Sequence, residues 1–311
     1  VTDSTQQPGL LSIGELARRT ELPVRTIRFY CDEGILESHR STGGHRLFDA
    51  DTATARLLLV RRLRTLGLGL TAITEVLQGE RSIDEVIAAE TIRLDTEFNS
   101  LAWRRASLRA LGSADLTQRP ERLALLAAAQ DGTAAHDRLI QFWRRLLTTL
   151  TVADFNFFAC GNIPEPPADP SVEQIVAYAE LTALVSDPDL YYAMGQQLWR
   201  TRPQTIRDRR ALFFDVGCLL VEVIPFVAAN THPHPGPELD RFVAAHAKAR
   251  NERDSREFRN HLLANASDAD RRIRRYWTLT ADLLDTSATV GQAHHWLYEA
   301  LTGPDEAQAD V

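Results

Sequence analysis

The strongest constraint on this chain lies in residues 12–32, SIGELARRTELPVRTIRFYCD. Ser12 and Glu15 stand three apart ahead of an apolar periodicity, the pattern of a capping box that starts a helix. Ile13, Leu16 and Ala17 share one face of that helix, which runs to about Arg19. TELP (20–23) then makes a turn. Val24 to Asp32 forms a second helix with Val24, Ile27 and Cys31 inward. Two short helices joined by a tight turn fit a helix-turn-helix. In that arrangement the N-terminal residues of the second helix, here Val24, Arg25 and Thr26, face the bases of a DNA major groove. Arg28 and Tyr30 face outward, placed to reach phosphates.

The next segment, SHRSTGGHRLFDAD, reads as two short strands around a glycine turn, a wing. Gly43 and Gly44 permit positive φ there. Arg40, His45 and Arg46 project from the wing toward a DNA backbone. Asp49 caps a helix that ends near Gly67, and LTAITEVL (70–77) makes a further short helix. Ser82 and Glu85 form a second capping box ahead of a long helix. In that helix Ile87, Leu94, Leu101 and Leu108 recur every seven residues, with Thr91, Phe98 and Arg105 between them. This a/d pattern over three heptads predicts a dimerising coiled coil; the alternative is an amphipathic helix packed on its own domain. Arg105 weakens the seam at one end.

Charge supports a polyanion site at this end. Residues 10–70 hold ten arginines against seven acids, net +3, in a chain of net charge −7, so the remainder carries −10.

Four ordered segments, LSIGELARRTELPVRTIRFYCDEGIL, GGHRLFD, RLRTLGLGLTAITEVL and the long helix, together closely resemble the MerR family of transcriptional regulators over residues 11 to about 111. The resemblance implies a winged-helix DNA-binding domain and a homodimer through an antiparallel coiled coil. It implies binding to a pseudo-palindrome in double-stranded promoter DNA, whose shape is altered so that RNA polymerase can use it. Carried over by position, Arg28 and Tyr30 match the family's phosphate-contacting stretch, Phe29 matches a packing residue and Arg46 the wing arginine. The expected DNA-binding residues are Arg18, Arg25, Thr26, Arg28, Tyr30, Arg40, Gly44, His45 and Arg46. The expected dimer contacts are Ile87, Leu94, Phe98, Leu101 and Leu108.

The signal is less legible. The family's metal sensors carry cysteines near the ends of the long helix; QGERSIDEV and LGSADLTQRPE have none. Cys31, Cys160 and Cys218 show no metal-ligand spacing, and a chance substitution accounts for Cys31 better than a redox role. The cobalamin-binding branch's signature is absent, and the region is not β-rich as in the drug-binding branch. His232, His234, His294 and His295 read as surface residues without a third ligand. Neither a phosphate loop, a nucleophile elbow nor a zinc-hydrolase motif is present, so no enzyme, cofactor or metal is expected.

Residues 112–311 instead read as helical, with breaks at the proline-rich 162–171 and 231–238. The predicted helices span 119–130, 133–150, 171–186, 188–200, 204–230, 237–250, 253–265, 267–285 and 290–302. Asp215 and Glu222 interrupt an apolar helix and either line a pocket for a cationic or polar ligand or meet arginines of RDRR or RRIRR in ion pairs. Trp143, Phe155 and Phe158 are candidate walls. No apolar run is read as long enough for a bilayer, and no secretory signal is read at the N-terminus, so the expected location is the cytoplasm, away from membranes.

The resulting expectation is a mainly α chain. Residues 1–10 are disordered, 11–80 form a winged helix-turn-helix with a small β wing, 81–111 a dimerisation helix, and 112–311 an all-helical effector domain with a possible subdivision near 162–171. The function expected is a ligand-responsive dimeric DNA-binding regulator with a small organic ligand. The alternative gives the same DNA-binding end a ligand-free protein-interaction or architectural module.

Overall fold

A computed structural model describes residues 9–41, 44–200, 202–264 and 266–303; most of the expected disordered N-terminus, and Gly43, lie outside them. The chain divides into two compact units, 1–97 and 98–311, with the division inside one long helix rather than at its end.

The first unit contains β1 (Leu10–Ser12), α1 (Ile13–Thr20), α2 (Val24–Asp32), β2 (His39–Arg40), β3 (Arg46–Asp49), α3 (Ala50–Thr65), α4 (Leu70–Gln78) and the start of α5 (Ile83–Gly112). Both capping boxes form: Ser12 with Glu15 and Ser82 with Glu85 exchange hydrogen bonds of 2.8–3.3 Å. Asp49 Oδ1 accepts from the Thr52 amide at 2.9 Å and starts α3. The wing strands pair antiparallel, and Gly44 takes the positive φ (80°) that its turn requires. A third strand, β1, pairs with β3 in the order β1-β3-β2 and draws Leu10 out of the segment expected to be disordered. Three residues show too little alternation to read as a strand.

Leu16, Ile27, Leu36, Phe48 and Leu57 form the core beneath α1 and α2, each worth about 1.5–3 kcal/mol on full burial. A second cluster joins Ile35, Val60, Leu63, Leu68, Ile73 and Val86, so the start of α5 is anchored in this unit.

The second unit is helical: α6 (Arg119–Ala127), α7 (Gly132–Leu146), α8 (Val152–Asn162), α9 (Val172–Val185), α10 (Pro188–Trp199), α11 (Arg209–Ala228), α12 (Pro237–Arg250), α13 (Arg256–Leu263), α14 (Arg271–Leu284) and α15 (Val290–Thr302). Helix α8 falls between the predicted helices 133–150 and 171–186. Its signal is a Thr151–Asp154 box, in which Asp replaces the usual Glu or Gln, ahead of a phenylalanine-rich run of modest helix propensity. One hydrophobic cluster runs from Trp103 to Ala300 across the proline-rich segment, with no subdivision at 162–171. The end of α5 enters it through Trp103, Ala106 and Ala110, and Trp103 Nε1 donates to the Ala129 carbonyl at 2.7 Å. At its centre the indole of Trp143 donates to Tyr276 Oη at 2.6 Å.

Helix α11 corrects another expectation. Its 20 residues include a window of mean hydropathy 2.1, long and apolar enough to cross a bilayer by length and composition alone. Here Leu212, Val216, Leu219 and Val223 are buried, and the helix packs against α12 and α15.

A polar cluster lies inside this apolar unit. Arg200 and Asp268 form a bidentate pair with both side chains fully buried. Arg200 Nη2 also donates to His294 Nδ1 at 3.0 Å, and its guanidinium lies 5.4 Å from the Phe242 ring centre. Gln197 Nε2 donates to Asp268 at 3.3 Å, while its oxygen accepts from Trp277 Nε1 at 3.2 Å. Nearby His246 is fully buried, with Nδ1 3.1 Å from Arg250 Nη1. Removing one partner strands a buried charge, so Asp268→Asn is expected to cost about 3–5 kcal/mol in denaturant unfolding; a loss below about 1 kcal/mol rejects the pair as a structural anchor.

Burial, reinforced by Arg200, holds His294 at about 3. Burial, with Arg250, Arg200 and His294, holds His246 well below its ordinary value. The unfolded chain takes up protons at these histidines below about pH 6.5, while the native state refuses them. Stability should therefore fall as pH drops from 7.5 to 5.5, and continue falling toward pH 3. Thermal midpoints of the full chain across the upper interval, where few carboxylates titrate, test this; no decline there rules out the neutral buried histidines.

Candidate functional site

On α2 the inward residues are Ile27, fully buried, and Tyr30 and Cys31, half-buried. Helical spacing then sends Arg25, Arg28, Phe29 and Asp32 outward as one stripe. This exchanges the expected roles of the two aromatics. Phe29, expected to pack, is 48% exposed, whereas Tyr30, expected to face outward, packs against both clusters of the first unit. Burial pushes the Cys31 thiol up against the opposing pull of Arg46.

The ten arginines of residues 10–70 separate into two equal groups. Arg19 pairs with Asp51 at 3.1 Å, Arg46 with Asp32 at 3.0 Å and Arg61 with Glu21 at 3.3 Å. Arg56 and Arg64 donate to the carbonyls of Leu77 and Leu68. These five brace the fold. Arg46, on β3, ties the wing strand to the end of α2. Arg18, Arg25, Arg28, Arg40 and Arg62 are exposed and form no salt bridge among the described residues. They lie on α1, α2, β2 and α3 and present exposed positive charge. Thr26 is half-exposed in the first turn of α2, and Gly44 and His45 are exposed in the wing, where the His45 amide donates to Ser41 Oγ at 3.1 Å.

On α5 the residues Ile87, Leu94, Phe98, Leu101 and Leu108 are all exposed, by 43 to 63%. At its C-terminal end α5 is two-faced, since Ala102, Trp103, Ala106 and Ala110 are buried on the other side. Arg105 leaves the seam to pair with Asp169.

The second unit encloses a cavity of about 680 Å³ bounded by α8, the end of α10, α11, Trp277 of α14 and the start of α15. Trp143 and Phe158 line it, as expected of them. Phe155 does not; it is buried with the Arg144 guanidinium 4.7 Å from its ring centre. Asp215 and Glu222 are also absent from the lining. Both are exposed, Asp215 paired with Lys248 at 3.1 Å and Glu222 bidentate with Arg241 at 2.7 Å, so neither carboxylate serves this cavity. The ion-pair alternative holds, with partners on α12 instead of RDRR or RRIRR. Seven-residue spacing put the two acids on one face but did not say which face was buried.

His294, read as a surface residue, is 3% exposed, lines the cavity and belongs to the Arg200 cluster. Its signal was its place one turn into a helix of small and apolar residues, GQAHHWL. His232 and His234 are exposed.

Residues 11–80 match the family described as MerR HTH family regulatory protein. The nodulation protein NolA of Bradyrhizobium diazoefficiens is 33% identical over 98 residues, covering 31% of this chain and 41% of that protein. NolA of Bradyrhizobium sp. (strain NC92) is 32% identical over 110 residues, 35% of this chain and 46% of the relative. The HTH-type transcriptional regulator HmrR of Rhizobium leguminosarum bv. viciae is 26% identical over 108 residues, 32% of this chain and 83% of HmrR. The chain thus spans less than half the length of the NolA proteins it matches. No solved structure matches it. The helix-turn-helix, its wing and these likenesses agree, and residues 11–80 belong to the MerR family of helix-turn-helix regulatory proteins.

Proposed function

We propose that the chain is a dimeric DNA-binding transcription regulator whose helical C-terminal unit binds a small organic ligand. The observation that carries the DNA reading is the set of exposed, unbridged arginines on a helix-turn-helix, in a chain of net charge −7. With α2 in a major groove, Arg25 and Thr26 approach base edges, and Arg18, Arg28 and Arg40 meet phosphates. Gly44 lets the wing turn approach the backbone closely, beside His45 and Arg46. Arg46 acts first through Asp32, by fixing the wing against α2.

The exposed apolar stripe of α5 supports pairing with a second copy. A dimer presents two recognition helices, which suits a pseudo-palindrome in promoter DNA. RNA polymerase at that promoter is the partner such a regulator serves. The cavity supports the ligand reading. A ligand acts only by preferring one conformation of the DNA-bound protein.

Two predictions follow from the arginine sorting and the stripe. Arg28→Ala and Arg40→Ala should each reduce the slope of log affinity against log salt on a mixed-sequence duplex by about one, whereas Arg19→Ala, which loses only a fold contact, should leave it unchanged. Equal slopes in all three reject the assignment. Leu101→Glu should convert the dimer to a monomer in light scattering with its helical circular dichroism intact; a persisting dimer rejects the α5 seam.

A further inference from the structure

Among the described residues, the lining of the 680 Å³ cavity has no Asp, Glu, Lys or Arg. Its walls are aromatic and aliphatic, with Trp143, Phe158, Phe213 and Trp277 among them, and its size suits a drug-sized molecule. Besides the thiols of Cys160 and Cys218, three polar side chains reach it: Asn162, Gln197 and His294. Gln197 is committed within the protein, and Asn162 in part. Asn162 Nδ2 donates to the Phe158 carbonyl at 2.9 Å. Gln197 is held at both ends, by Trp277 and by Asp268.

His294 is different. Its Nδ1 accepts from Arg200, so the neutral ring carries its proton on Nε2. Burial and Arg200 keep that ring neutral at physiological pH. Nε2 has no partner among the described residues, although the side chain is nine-tenths buried and lines the cavity. Behind it the Arg200 charge is matched by Asp268. The cavity therefore offers neutral donors, the His294 Nε2–H and the Trp199 indole N–H among them, and no charged side chain among the described residues.

We propose that this cavity selects an uncharged, ring-rich molecule bearing a hydrogen-bond acceptor, which the His294 Nε2–H orients. The proposal rests on the ligand-binding reading above and narrows it. A cation has no carboxylate to meet, since Asp215 and Glu222 are paired outside the lining, and its desolvation goes uncompensated. An anion finds a guanidinium whose charge Asp268 already matches. An uncharged ring system gains apolar burial, and a single carbonyl oxygen supplies the acceptor that His294 lacks.

The test uses the full chain and three probes that share two phenyl rings: benzophenone (C=O), diphenylmethane (CH₂) and benzhydrylammonium (CH–NH₃⁺). Quenching of tryptophan fluorescence reads binding, because Trp143, Trp199 and Trp277 line the cavity. Benzophenone should bind about five- to tenfold more tightly than diphenylmethane, and the ammonium most weakly. His294→Asn keeps an acceptor for Arg200 at the Nδ1 position but, being shorter, has no donor where Nε2 stood, and should erase the preference for the carbonyl. Gly217 gives a control that preserves the fold: it lies within α11, lines the cavity, and a Cβ built there meets nothing within 4 Å. Gly217→Leu should abolish binding with the unfolding midpoint kept or raised, since glycine is a poor helix former.

Ammonium binding as tight as benzophenone, no binding of either neutral probe, or neutral binding that survives Gly217→Leu overturns the proposal. Duplex affinity measured in parallel separates the two readings. Benzophenone binding with the expected selectivity supports the site even if DNA binding does not respond, and in that case only ligand control of the regulator falls.

Discussion

The second unit depends on the buried pairing of Arg200 with Asp268. An unpaired charge at that depth would cost several kcal/mol, so the pair orients the side chains bonded to it. Asp268 receives Arg200 and Gln197, Gln197 receives the Trp277 indole, and Arg200 fixes the ring of His294. One ion pair thus links the end of α10, the loop before α14, α14 itself and the first turns of α15. The backbone shows the same constraint, since Arg200 holds φ at +56°, unusual for a residue with a Cβ. The cavity wall inherits its rigidity from this cluster: Trp277 and His294 line it in orientations set from behind.

In the first unit charge is divided by task. Five arginines bind carboxylates or carbonyls of the domain, and five face solvent without a salt bridge among the described residues. Exposed salt bridges contribute little stability, so the braces matter more for geometry than for energy. Arg46 illustrates this. Its contact with Asp32 sets the wing against the recognition helix, and the wing's exposed groups are aimed as a result. The unbridged arginines remain available to a polyanion, where counterion release supplies the driving force.

The first unit was legible because its signals are local. Caps, a four-residue turn and a glycine turn are each specified within a few residues, and Ser12–Glu15, Ser82–Glu85 and Asp49 behave as the spacing requires. What failed there depended on small rotations: Phe29 and Tyr30 are adjacent, and 100° of helix turn decides which one packs. In the second unit the helices were legible but not their neighbours. Asp215 and Glu222 lie on a helix apolar enough to suggest burial all round, yet that helix also borders a cavity and solvent. His294 could not be identified because its partners, Arg200 and Asp268, lie 94 and 26 residues away in sequence. Periodicity records which face is apolar; it does not record what lies opposite.

Two glycines of the cavity have opposite tolerances. At Gly291 a Cβ would fall 2.0 Å from the Trp277 indole, so the ring lies directly on the backbone of α15 and no other residue fits without moving it. At Gly217 the same atom would enter open space. The floor of the cavity is therefore fixed by a single missing methyl group, while the wall opposite accepts larger side chains. Substitution along α11 can rescale the chamber for smaller or larger guests while the tryptophan and the histidine beneath it keep their places. Evolution, or a designer, could change what this protein accommodates without rebuilding the unit that holds it.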